Sequence, residues 1–204
     1  MQHRRFGFRR EDEGPDARFY AQPRLVTHID EAAIAAVTQL YREYFPARGA
    51  VLDLMSSWVS HLPAEVAYSR VVGLGMNRTE LAANPRLDGY VVHDLNRNPR
   101  LPFADAAFDA AAICVSIQYL TRPAAVLRDL GRVLAVGAPL VITFSNRCFP
   151  TKAVRGWLQR DDLGHAALVA RYLKAARNWT DIEHLDRSPP ASDPLHAVIA
   201  RRAP

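Results

Sequence analysis

Apolar residues at Ile34, Val37, Leu40, Tyr41 and Tyr44 recur at helical spacing behind Asp30, a residue type that caps helix N-termini. The stretch EAAIAAVTQLYREYF is therefore predicted to be an amphipathic helix, ended by Pro46 and Gly49. From residue 50 the period changes to short apolar, β-branched runs: AVLDLM (50–55), RVVGLG (70–75), GYVVHDL (89–95), FDAAAICVSI (108–117) and PLVITFS (139–145). Helical stretches separate them. RTELAAN (78–84) is short, and PAAVLRDLGRVL (123–134) carries Val126, Leu127, Leu130, Val133 and Leu134 on one face. Two further helices are expected at about 151–160 and 164–176. The runs WTDIEHL (179–185) and HAVIAR (196–201), joined by the turn-rich SPPASDP (188–194), predict an antiparallel pair. Strands alternating with helices imply an α/β fold with right-handed crossovers. The expectation is a seven-stranded sheet with helices on both faces. Six strands are parallel, the last is antiparallel, and strand one is central between strands two and four.

Residues 1–24 break this pattern. Arg4, Arg5, Arg9 and Arg10 precede Glu11, Asp12 and Glu13, and Gly14-Pro15 interrupts any helix. This segment reads as an N-terminal arm, partly mobile and, over residues 1–14, dispensable for the fold. Residues 25–204 read as a single domain. The chain of 204 residues, 49% hydrophobic and 23% charged, can bury a full core. No apolar run approaches the roughly 18–20 residues that span a bilayer, and no apolar stretch follows the charged start. Cys114 and Cys148 are too few for a disulfide scaffold or a four-cysteine zinc site, so no metal is expected and a reducing, cytoplasmic setting is. The net charge of +5 is nearly all arginine. The charges are interspersed, which favours a solvated basic surface over a nucleic-acid interface.

In an open parallel sheet, ligands sit beyond the carboxyl ends of the strands. The informative residues are therefore 53–62, 75–77, 93–96, 116–119 and 145–149. Asp94, Leu101-Pro102-Phe103, Phe108-Asp109, Arg132-Val133-Leu134 and Gly137 stand in an order and spacing that resembles the class I S-adenosylmethionine-dependent methyltransferases, in particular the small type 11 group. The resemblance covers roughly residues 48–147. It implies a Rossmann-like sheet, S-adenosylmethionine as cofactor, and a methyl acceptor, with a small molecule favoured. It also implies cofactor contacts from Asp53, Met55, Ser56, Ser57, Gly75, Met76, Asn77, Asp94, Leu95 and Val115. Acceptor contacts would come from Gln118 and Tyr119 after the fourth strand. A helical lid before the first strand would bring Arg18, Tyr20 and His28 to the substrate, with His28 a candidate base.

The sequence departs from that family at two places. Where relatives carry Asp-Leu-Gly-Cys-Gly-Thr-Gly, this chain reads Asp53-Leu54-Met55-Ser56-Ser57-Trp58-Val59, and all three glycines are gone. The acidic residue that ends the second strand in relatives and binds the cofactor's ribose is Gly75 here, with Asn77 or Asn96 as partial substitutes. Two readings follow: a methyltransferase with a rebuilt cofactor site, or a non-catalytic binding or regulatory module that keeps the fold. Trp58, His61 and His93 read as packing or hydrogen-bonding residues. Cys114 reads as a core residue, and nothing near Cys148 points to an activated thiol. A nicotinamide enzyme is disfavoured, because Gly73-x-Gly75 lacks the third glycine of the dinucleotide fingerprint and has Arg78 in its place.

Overall fold

The computed structural model describes residues 7–204. Seven strands form one sheet: β1 (Ala50–Leu54), β2 (Arg70–Gly75), β3 (Gly89–Val92), β4 (Ala110–Cys114), β5 (Pro139–Phe144), β6 (Trp179–Asp186) and β7 (His196–Arg202). Their order is β3-β2-β1-β4-β5-β7-β6. Pairings from β3 through to β5 are parallel, and β7 is antiparallel to both β5 and β6. β1 lies between β2 and β4, in register Leu52↔Val72 and Leu52↔Ala111. The expected topology is therefore the observed one.

The two faces follow from strand alternation. Leu52, Leu54, Ala111, Ile113, Leu140 and Ile142 point to one side, where α4 (Pro123–Val133) and, after the single turn α5 (Arg155–Leu158), α6 (Asp162–Ala176) cover them. Val51, Ala110, Ala112, Val141 and Ile199 point to the other, under α2 (Glu31–Tyr44). Asp30 caps α2 by accepting a bond from the Ala33 amide at 2.9 Å. Pro123 opens α4 at a position where a helix tolerates a missing N–H. Gly137, at φ 79°, makes the turn into β5.

The residues that carry the family resemblance hold this frame together. Arg132 donates to the Leu101 and Phe103 carbonyls and pairs with Asp129 and Asp105, while Asp129 accepts the Leu101 amide. Phe108 bridges to Leu134.

The N-terminal segment differs from the sequence expectation. Residues 1–6 lie outside the described part, but residues 7–24 pack on the core. A single helical turn, α1 (Asp16–Phe19), is followed by irregular chain to residue 29, so the lid is mostly not helical. The cause is a buried ion cluster. Lys152, fully buried, donates to the Gly14 carbonyl at 2.8 Å and pairs with Asp12 at 3.0 Å and Asp16 at 3.2 Å. Arg10 holds both oxygens of Asp16 at 2.8 and 3.0 Å. Backbone bonds from Asp12 to Thr151 and from Arg155 and Gly156 to Arg9 and Gly7 complete the attachment.

Deleting residues 1–14 takes Arg10 from Asp16 and takes Asp12 and Gly14 from Lys152, and breaking a buried charge cluster in this way costs about 3 kcal/mol or more. The melting temperature is expected to fall by roughly 6–12 °C for a chain of this size. A fall of under two degrees in a thermal melt would mean that the cluster carries no stability.

Candidate cofactor and acceptor site

A cavity of about 310 Å³ opens at the carboxyl ends of the parallel strands, roofed by residues 16–28. Its floor is the turn after β1, the ends of β2 and β3, and the segment after β4. A smaller cavity of about 90 Å³ adjoins it under the lid.

The β1 turn keeps a backbone shape suited to glycine without the glycine. Met55 sits at φ 62°, in the left-handed region. The turn is fixed by the Ser56 amide, which donates to the Leu74 carbonyl at 2.9 Å. Val115, at φ 46°, is a second left-handed residue and, being β-branched, a costly one. Its amide bonds the Thr143 carbonyl, and its own carbonyl accepts from Gln118 Nε2 at 3.0 Å. Both strained residues line the main cavity.

Gly75 has a steric reason. A Cβ there would stand 2.2 Å from the Ser56 carbonyl oxygen. The turn itself occupies the place where a side chain would emerge, so no carboxylate fits at this position. Glu80, in the first turn of α3 (Arg78–Ala83), supplies one from beside it. Its Oε2 accepts the Ser57 hydroxyl at 2.7 Å and its Oε1 the Arg24 amide at 2.7 Å, and it lines the cavity. The sequence reading missed Glu80; its signal was a lone acid five residues beyond a strand end that had lost its own.

Of the residues singled out from sequence, Met55, Ser56, Ser57, Gly75, Met76, Asp94, Leu95, Val115, Tyr119, Tyr20 and His28 line this cavity together. Asp94 uses Oδ1 to accept the Asn96 and Arg97 amides, which leaves its other oxygen for a ligand. Asn77 does not line it. Its carbonyl oxygen caps α3, and its amide nitrogen donates to the Tyr20 and Ala21 carbonyls, fastening the lid. Asn96 is likewise consumed, by Asp16, Thr121 and the Tyr119 carbonyl. Gln118 is buried beneath Val115 and holds that turn instead of facing the acceptor. Arg18 is exposed and outside the cavity. Trp58 pins the lid by donating to the Val26 carbonyl at 3.0 Å, and His93 bonds the Asn98 carbonyl.

Asp53 lines the smaller cavity only. Its Oδ2 accepts the hydroxyls of Ser56, at 2.6 Å, and Ser60. Burial nevertheless pushes its carboxyl up to about 6, because the two hydroxyls only partly offset the loss of water. Burial also pushes the Cys114 thiol up to about 11 and raises Cys148, so neither is an activated thiol. Tyr20 and Tyr119 are raised by burial and remain phenols. His28 is lowered, mainly by burial, so its imidazole is neutral at pH 7. Among the described residues, no group of three or more His, Cys, Asp or Glu is placed to hold a metal ion, and no helix is long and apolar enough to cross a membrane.

Residues 54–142 match the family described as "Methyltransferase domain". Solved structures with the same fold include three of low identity. A putative methyltransferase from Haloferax volcanii, solved with the Trm112 activator, is 12% identical over 85% of this chain and 91% of its own, with a TM-score of 0.66. The [4+2]-cyclase SpnF is 17% identical over 82% and 80%, at 0.61. An S-adenosylmethionine-dependent methyltransferase from Mesorhizobium loti is 18% identical over 82% and 98%, at 0.57. No curated protein matches the chain. Residues 54–142, within the stretch from β1 to β5, are thus similar to methyltransferase domains, and the sheet shares the fold of solved S-adenosylmethionine-dependent methyltransferases.

Two substitutions probe this geometry. The proton on Asp53 is kept by the folded chain and lost by the unfolded chain between about pH 4 and 6. Stability from this group is therefore full below the ordinary aspartate value and lost as pH rises through about 6, by roughly 3 kcal/mol. Asp53→Asn keeps an acceptor for both serines and cannot ionise. In ligand-free melts the variant is expected to gain on the parent from pH 4 to pH 7, and a pH-independent difference would refute the assignment. Gly75→Asp restores the family's acid, but on a backbone that cannot seat it. It is expected to cost about 1–3 kcal/mol, a drop of several degrees, and not to improve cofactor binding.

Proposed function

We propose that this protein is an S-adenosylmethionine-dependent methyltransferase with a rebuilt cofactor crevice, acting on a small-molecule acceptor. The observation that supports this most is the β1 turn. It has lost every glycine, yet still turns through a left-handed Met55 and keeps an open cavity at the carboxyl ends of the strands. A fold retained only as a scaffold has no reason to hold two strained residues, Met55 and Val115, at the wall of a cavity.

The residues present fit the cofactor in a shifted arrangement. Asp94, with one free carboxylate oxygen beside the buried Leu95, would accept from the adenine amino group. Glu80 would accept from the ribose hydroxyls in place of the acid that Gly75 excludes. The turn at Met55–Ser57 would carry the methionine part. When bound, the cofactor supplies a methyl group on a sulfonium sulfur, which an acceptor nucleophile takes as the carbon–sulfur bond breaks. The lid orients the acceptor and keeps out water, a positioning effect that can lower a barrier by roughly 7–11 kcal/mol. Neutral His28, at the lid end of the cavity, would receive the proton of an acceptor that ionises as it reacts.

Calorimetry with S-adenosylmethionine and S-adenosylhomocysteine tests the reading. The parent is expected to bind at micromolar concentration. Asp94→Ala removes a charge-assisted hydrogen bond of about 1.5–3 kcal/mol and is expected to weaken binding roughly 10- to 100-fold without unfolding the protein. Ser57→Gly, which also frees one oxygen of Glu80, is expected to leave binding unchanged or improve it. No heat and no thermal protection at millimolar cofactor would sink the enzyme and favour the non-catalytic binding module.

A further inference from the structure

Charges of both signs face the cavity. Glu80 and Asp94 lie beyond β2 and β3. Asp16 also lines it but is neutralised behind the wall by Arg10 and Lys152. The cations Arg24 and Arg147 come from the lid and from the segment after β5; the Arg24 backbone amide bonds Glu80, while its guanidinium lies over Phe149. A cationic sulfonium suits the two free acids, which leaves the cations to a ligand of the opposite sign.

The two arginines are not equivalent. Arg147 is paired with Asp193 at 2.7 Å. Arg24 has no carboxylate within ion-pair distance among the described residues. Its guanidinium donates only to the Gln22 carbonyl at 3.4 Å and the Phe19 carbonyl at 3.2 Å. It lies over two rings, 4.6 Å from the centre of Phe19 and 5.2 Å from that of Phe149. A guanidinium that lies over rings spends no N–H on them, so its donors beyond the two bonded to carbonyls stay free for a carboxylate. Phe149 also stacks with Tyr119 at 5.8 Å and meets His28 edge-on at 5.1 Å. The wall beside the free guanidinium is therefore aromatic.

From this we infer that the acceptor is a small aromatic carboxylate, its acid group held by Arg24 and its ring by Phe149 and Tyr119. The assignment rests on the methyltransferase reading and names the acceptor class for that site. A cavity of about 310 Å³ lies at the low end for ligand pockets, which favours a compact acceptor.

The test uses three acids, benzoate, 4-hydroxybenzoate and indole-3-acetate, each against its uncharged amide. Binding is measured by calorimetry on the parent, with and without saturating S-adenosylhomocysteine. At least one acid is expected to bind ten-fold or more tightly than its amide. Arg24→Gln is expected to abolish that preference and Arg24→Lys to keep part of it, the preference being read as the ratio of acid to amide affinity on each variant. If cofactor binds and no acid outcompetes its amide, or if the preference survives Arg24→Gln, the inference is overturned and the methyltransferase reading stands. If no cofactor binds, the methyltransferase reading fails and the acceptor assignment fails with it, whatever the acids do.

Discussion

The carbonyl of Ser56 lies against the α-carbon of Gly75, and the arrangement of the whole crevice follows from that approach. The Ser56 amide is bonded to the β2 carbonyl of Leu74, so the β1 turn is drawn across the end of β2. Only glycine fits beneath it. With that position closed, an acid can reach the cavity only from further along the chain, and Glu80 does so from α3. Its carboxylate then meets Ser57, on the same turn, at a position where relatives carry glycine. The lost acid and the lost glycines are thus one change seen from two strands. At Ser57 a hydroxyl stands in the turn, and the carboxylate that it binds is the one that Glu80 brings to the cavity wall.

The fold was legible because its signals are local. Strand and helix periods, caps and turn residues act over a few positions, and Asp30, Pro123 and Gly137 do in the structure what their types imply. The motifs that pointed to the family are legible for a different reason. Arg132, Asp129, Leu101 and Phe103 bind one another's backbone and side chains, so their order is demanded by the scaffold. That explains why the resemblance survives while the site has changed. Asn77 and Gln118 were misplaced because position alone cannot say where a side chain's hydrogen bonds go. Each stands at a strand end, yet one fastens the lid and the other supports the strained turn at Val115.

The arm was the hardest segment to read. Residues 9–16 are polar and without period, which is the composition of a solvated tail. What anchors them, with Arg10 and Asp16 buried, is Lys152, an ammonium nearly 140 residues away with no exposure of its own. A buried lysine is intelligible only with its partners in place, and those partners are carbonyls and carboxylates of the arm. Neither half of the cluster carries a sequence signal without the other.

The lid and the segments after β1, β2 and β3 share contacts. The lid is held there by the Arg24 amide on Glu80, by the Tyr20 and Ala21 carbonyls on Asn77, by the Val26 carbonyl on Trp58, and by Asp16 on Asn96. On the β5 side Lys152 pairs with Asp16, and Phe149 packs against Phe19 and His28. Glu80 joins lid and floor, since one carboxylate bonds the lid backbone at Arg24 and the β1 turn at Ser57 and also faces the cavity. The guanidinium of the same Arg24 lies over Phe149, which follows β5. The lid is therefore tied at one residue to both sides of the crevice, by its backbone to an acid beyond β2 and by its side chain to a ring beyond β5.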